Sequence, residues 1–139
     1  MSDNPDSVST LRPGLSAEVK RSVSATETAA HLGSGSLAVY ATPALVALME
    51  NAAVRALEGH LPAGHTTVGG KIEVRHLAAT PIRMKVRAHA QLVEVQGRKL
   101  TFHIQAWDEV EQIGEAEHVR FLIEGETFME KVKTKGRNR

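Results

Sequence analysis

The chain's 139 residues suit one domain with a core of ordinary size. Its 42% hydrophobic and 24% charged content reads as a soluble globular protein, and a net charge of +1 is too small to argue for nucleic acid or membrane binding. The lack of cysteine excludes disulfides, thiolate nucleophiles and thiolate metal sites.

No apolar stretch reaches spanning length, and the polar start Met1-Ser2-Asp3-Asn4-Pro5-Asp6 is no signal peptide, so a cytoplasmic location is expected. Residues 1–15, rich in Ser, Pro, Asp and Gly, read as a loose arm. From Ala17 to Ala29, Val19, Val23 and Ala25 set against Lys20, Ser22 and Ser24 indicate a strand. Gly33-Ser34-Gly35-Ser36 is a flexible loop.

A helix is expected from about Pro43 to Leu57. Thr42 suits its N-cap, Pro43 its first position and Gly59 its end. Its apolar residues cover almost the whole circumference, which asks for burial on most sides. Glu50 interrupts that surface, and a carboxylate is almost never fully buried unless paired.

The remainder reads as strands. Ile72, Val74 and His76 alternate with Lys71, Glu73 and Arg75 until Pro81. Met84 to Leu92 and Leu100 to Ala106 alternate similarly, joined by a turn at Gln96-Gly97-Arg98. A last strand, about Ile113 to Ile123, turns Val119, Phe121 and Ile123 inward and leaves His118 and Arg120 on its outer face. Residues 127–139 form a basic tail with Lys131, Lys133, Lys135, Arg137 and Arg139, of the kind that is usually solvated.

One long buried helix followed by an antiparallel meander is an α+β layout. A curved sheet wrapped around a central helix satisfies it, which is the hotdog fold, here over residues 16–126. One sheet does not cover such a helix on every side, so edge-to-edge pairing of two chains is expected.

Three residues admit two readings each. Thr42 is explained by capping alone, yet a helix start also offers free N–H groups suited to an oxyanion, and its hydroxyl can attack or position. Glu50 either faces solvent through a gap or serves as a general base in apolar surroundings. His76 is either a satisfied core histidine, with Glu50 a reasonable partner, or a working group. Thr42 and Glu50 are eight residues apart, so their backbones stand about 12 Å apart on a regular helix. Both can hardly reach one carbonyl carbon from a single straight helix in one chain, so either the helix begins after Thr42 or the site combines residues of two protomers, and sites at a dimer interface are expected. His60 and His65 match no standard zinc pattern, and no metal site is expected.

Ala41-Thr42-Pro43 through Met49-Glu50-Asn51-Ala52-Ala53, then Thr67-Val68-Gly69-Gly70-Lys71-Ile72-Glu73-Val74-Arg75-His76, resembles the hotdog thioesterases related to fluoroacetyl-CoA thioesterase. Val95-Gln96-Gly97-Arg98-Lys99-Leu100 and Ile113-Gly114-Glu115 with His118-Val119-Arg120 extend the resemblance over roughly residues 17–125. It implies catalytic roles for Thr42, Glu50 and His76, and substrate binding at Gly69, Gly70 and Asn51. Glu50 would activate a water or Thr42, His76 would orient or protonate the departing thiolate, and the helix start with the Gly69 region would hold the carbonyl oxygen.

The small loop Gly33–Ser36 stands where fluoroacetyl-specific members carry phenylalanines, and Asn51 stands in place of an aromatic residue. The resemblance therefore implies hydrolysis of small or medium acyl-CoA thioesters rather than fluoroacetyl selectivity. Coenzyme A would enter as part of the substrate, with no other cofactor. The expected partners are an acyl-CoA and further copies of the chain, with no nucleic acid and no membrane. The alternative is an idle hotdog module that binds acyl-CoA or another small ligand.

Overall fold

The computed structural model describes residues 10–139. Strand β1 (Ser16–Ser22) leads through a 3-10 turn (Ala25–Glu27) and a short helix α1 (Ala29–Leu32) into the long helix α2 (Thr42–Ala56). Strands β2 (His65–His76), β3 (Lys85–Gln96), β4 (Lys99–Trp107) and β5 (Gln112–Glu124) follow, then helix α3 (Gly125–Arg137). The strands form one antiparallel sheet in the order β1-β3-β4-β5-β2. β1 and β2 are its edges. The α+β layout expected from the pattern is the one found.

The sheet wraps α2, which buries Leu45, Leu48, Met49, Ala52, Ala53 and Ala56 against Val86, Leu92, Leu100, Phe102 and Ile104. Gly114 sets how closely they approach. A Cβ there would stand 2.9 Å from both Leu45 Cδ2 and Met49 Cε, so only hydrogen fits without repacking. Gly97, at φ +62°, makes the tight β3–β4 turn that its Gln-Gly-Arg setting indicates.

The structure corrects several local expectations. β1 stops at Ser22 rather than running to Ala29, because the Ser24 N–H donates to Glu27 Oε1 (3.0 Å) and begins a helical turn. Residues 1–9 of the expected arm lie outside the described residues. From Leu11 the chain is docked: Leu11 is buried, Gly14 N–H donates to the Leu92 carbonyl, and Leu92 N–H donates to that of Leu15. The basic segment from 127 onward is helical, with its residues mostly exposed. Helix α2 is not covered all round within one protomer, since Pro43, Ala47, Asn51 and Val54 are exposed. Among the described residues, no helix is long and apolar enough to cross a membrane.

β2 carries one irregularity. Its register against β5 slips between Gly69 and Lys71, leaving Gly70 as an extra residue.

Candidate active site

The N-cap of α2 is Ala41, not Thr42. Tyr40 N–H donates to the Thr80 carbonyl and Ala41 N–H to that of Glu27, which fixes the entry one residue earlier than expected. Thr42 therefore lies in the first turn, and its hydroxyl is not spent on capping. It reaches His76 at the end of β2, with Oγ1 and Nδ1 2.8 Å apart. Burial lowers the His76 pKa from its ordinary value, with the Ala78 backbone opposing. A neutral ring protonated at Nε2 accepts the Thr42 proton at Nδ1, the arrangement a base needs toward a hydroxyl nucleophile. His76 Nε2 is itself buried with no hydrogen-bond partner among the described residues. A cavity of about 400 Å³ opens over the pair, bordered by Ala29, Ser34, Tyr40 and Leu77.

Glu50 sits two turns further along. Its expected partner, His76, is taken by Thr42. Glu50 Oε2 instead lies 3.4 Å from Arg120 Nη1 and 3.8 Å from His118 Nε2. Its side chain keeps 40% of its exposure, so the carboxylate is paired on one side and open to water on the other.

This corrects the reading of the last strand. His118 and Arg120 face inward and are buried, whereas Phe121, expected inside, is 39% exposed. The inward positions hold Gly114, Ala116, His118, Arg120 and Leu122, so the strand's most apolar phase is not its core face. Arg120 is held at three points. Nε donates to Thr67 Oγ1 (2.9 Å), Nη2 to the Thr67 carbonyl (3.2 Å), and Nη1 lies 3.1 Å from His118 Nε2. Burial lowers the Arg120 pKa and Glu50 opposes the shift. A guanidinium stays charged throughout the working pH range regardless.

Gly69 is opposite Arg120 in the ladder and faces Glu50. A Cβ there would lie 2.8 Å from Glu50 Oε2. Gly70 turns the other way, where a Cβ would fall 2.4 Å from the Phe121 ring. Packing against Phe121 on that face is by itself a reason for glycine at position 70. Asn51 is exposed and borders a separate groove of about 330 Å³ with Pro43, Ala47 and Leu48.

One helix thus presents two polar stations, Thr42–His76 at its start and Glu50–Arg120–His118 midway. Arg120, His118 and Thr67 were not among the expected site residues. The available signal was the requirement that a half-buried carboxylate find a cation.

Comparison with known proteins bears on this arrangement. Residues 23–126 match the family model described as FlK, fluoroacetyl-CoA-specific thioesterase. The chain belongs to that family. A fluoroacetyl-CoA thioesterase of Streptantibioticus cattleyicolor is 42% identical over 97 residues, 70% of each chain. A solved structure of the fluoroacetyl-CoA thioesterase FlK shares 36% identity and a TM-score of 0.84, covering 90% of this chain and 97% of that one. A hot-dog-like protein from Thermanaerovibrio acidaminovorans, 21% identical with a TM-score of 0.84 over 94% of this chain and 96% of its own, shares the fold. Membership in this family makes the chain a thioester hydrolase.

Both site histidines carry a pH signature. Burial lowers the pKa of each below the ordinary 6.5, so the unfolded chain binds protons that the folded chain refuses. Stability is then fully present above about 6.5 and lost as pH falls toward the folded values. The melting temperature is expected to fall between pH 7 and pH 5, and by less in a His76→Phe, His118→Phe double variant. Thermal melts across that range check this, and an equal drop in the variant would refute it.

Proposed function

We propose that this protein is an acyl-CoA thioesterase that hydrolyses small or medium acyl-CoA thioesters to free acid and CoA. The observation that carries the reading is the Thr42–His76 hydrogen bond on the same helix as the half-open, Arg120-paired Glu50, in a chain of this family. Glu50 takes a proton from the attacking water, or His76 takes it from the Thr42 hydroxyl it contacts. The oxygen then bonds to the thioester carbon, and the resulting oxyanion lies against N–H groups at the start of one protomer's α2 and near Gly69 of its partner. The C–S bond breaks and the thiolate leaves with the proton taken in the first step, returned by Glu50 where water attacks and by His76 where Thr42 attacks. If Thr42 attacks, water later releases the acyl group from it.

The roughly 12 Å between the stations along the helix supports a homodimer with sites at the interface. Edge strand β2 is twelve residues long and unpaired on one side among the described residues, and the exposed Pro43, Ala47 and Val54 would cover each other's apolar surface there. Coenzyme A belongs to the substrate and no further cofactor is required. The reading places the enzyme in the cytoplasm. Ala29 and Ser34 at the cavity mouth are small and leave room for an acyl chain beyond two carbons.

The test is free-thiol release from a panel of acyl-CoA esters running from acetyl and fluoroacetyl to long-chain and aryl groups. Turnover is expected to be highest on small or medium esters without a preference for fluoroacetyl. Binding of CoA esters with no thiol released from any of them would replace this reading with the idle binding module.

A further inference from the structure

His118 is a buried ionisable group to which the proposed chemistry assigns no proton transfer. It is 1% exposed and meets a polar or charged group from each of three elements. From β2 the Lys71 carbonyl lies 2.7 Å from Nδ1. From β5 Arg120 Nη1 lies 3.1 Å from Nε2, and from α2 Glu50 Oε2 lies 3.8 Å from the same atom. The fourth neighbour, the Phe102 ring of β4, is apolar, with its centroid 6.1 Å away.

These contacts settle the tautomer. A carbonyl only accepts, so Nδ1 carries the proton and donates it to Lys71. Arg120 only donates, so Nε2 is bare and accepts from Nη1. Protonation would put a second N–H against the guanidinium. Burial, chiefly, and then the Arg120 charge lower the ring's pKa, while Lys71 and Glu50 oppose. His118 is therefore a neutral acceptor aimed at one nitrogen of Arg120, the nitrogen that also meets Glu50. Thr67 occupies the other two.

We propose that His118 is a positioning residue for the thioesterase reaction: its bare Nε2 holds Arg120 Nη1 in place, and Nη1 holds the Glu50 carboxylate. This rests on the thioesterase reading above. Glu50 Oε2 is then committed to Arg120, and Oε1, which makes no hydrogen bond among the described residues, is left to take the proton. Loss of the acceptor leaves the guanidinium held only along its Thr67-bound Nε–Nη2 edge, so that it can rock about that edge and carry Nη1 away, and the carboxylate loses its fixed address without losing its charge.

The experiment compares wild type, His118→Leu and His118→Gln by thiol release and thermal melting, together with ¹⁵N-histidine spectra of the wild type. Leucine fills the space with no acceptor, whereas glutamine returns an oxygen toward Arg120. A carboxylate displaced by an ångström costs on the order of 10²-fold in rate, so His118→Leu is expected to lose about 10²-fold in kcat with KM little changed. His118→Gln is expected to recover most of that loss at a melting temperature similar to that of the leucine variant. The spectra are expected to show a neutral Nδ1–H ring that stays neutral below the ordinary imidazole range. Equal losses in both variants at equal melting temperature would overturn the proposal. A charged or Nε2–H ring at neutral pH would overturn it too, and this decides the matter even if the leucine variant fails to fold. A wild type that releases no thiol would instead defeat the thioesterase reading, which the spectra do not depend on.

Discussion

Glu50→Gln is expected to lower kcat for thiol release by about 10²–10⁴-fold, the range a general base contributes, while the chain stays folded. The amide has the shape of the acid and still offers an oxygen to Arg120 Nη1. It cannot accept a proton from water. Arg120 loses its counter-charge but keeps both bonds to Thr67 and its donation to His118. Breaking a fully buried ion pair costs about 3–5 kcal/mol, and an exposed one about 1 kcal/mol or less. Glu50 keeps 40% of its side-chain exposure, so screening by water brings the cost toward the lower figure. Steady-state kinetics beside a thermal melt separate the two effects. A variant that retains turnover within about tenfold of wild type would remove Glu50 from the chemistry.

Gly69→Ala tests the same corner without replacing a charged group. The added methyl would arrive 2.8 Å from Glu50 Oε2, 3.4 Å from Arg120 Nη1 and 3.5 Å from His118 Cε1. The nearest of these is the end of a flexible side chain that faces water, so it swings away at little cost in stability. That swing removes the carboxylate from its position. A loss of about 10²-fold in kcat/KM is expected, with a melting temperature close to wild type. Full activity in this variant would mean that the reacting atoms do not pass between β2 and Glu50. A large drop in melting temperature would instead mark Gly69 as a packing residue.

The helix, the meander and the hairpin at Gly97 were legible because each rests on a short-range rule: a 3.6-residue or two-residue period, or a turn that needs positive φ. Thr42, Glu50 and His76 were legible as polar residues on apolar elements. Their partners were not. Glu50 and His76 suit each other by chemistry, but the separate contacts to Arg120 and Thr42 are set by which strand faces which turn of α2. The misreading of β5 has a physical cause. Val119 and Phe121 share one phase, while the core-facing phase holds Gly114, Ala116, His118 and Arg120, small or polar because the helix approaches closely at one end and a carboxylate must be met at the other. Hydrophobic alternation fails where a strand's inner face serves a site rather than a core. The early start of α2 was hidden for a similar reason, since the backbone bonds of Tyr40 and Ala41 come from residues distant in sequence.

The extra residue at Gly70 has a consequence of arithmetic. Gly69, beside Glu50, and His76, beside Thr42, are seven positions apart on one strand, an odd number, and a regular strand would send them to opposite sides of the sheet. The slip consumes one position and makes the interval even, so Gly69 and His76 both face the same helix. The phasing of the two stations is thus a counted quantity that no single contact enforces. Deleting Gly70 would leave six positions in a regular strand and keep both facing α2, whereas deleting another residue of the interval with the slip retained would turn either the imidazole or the glycine outward with every side chain chemically intact.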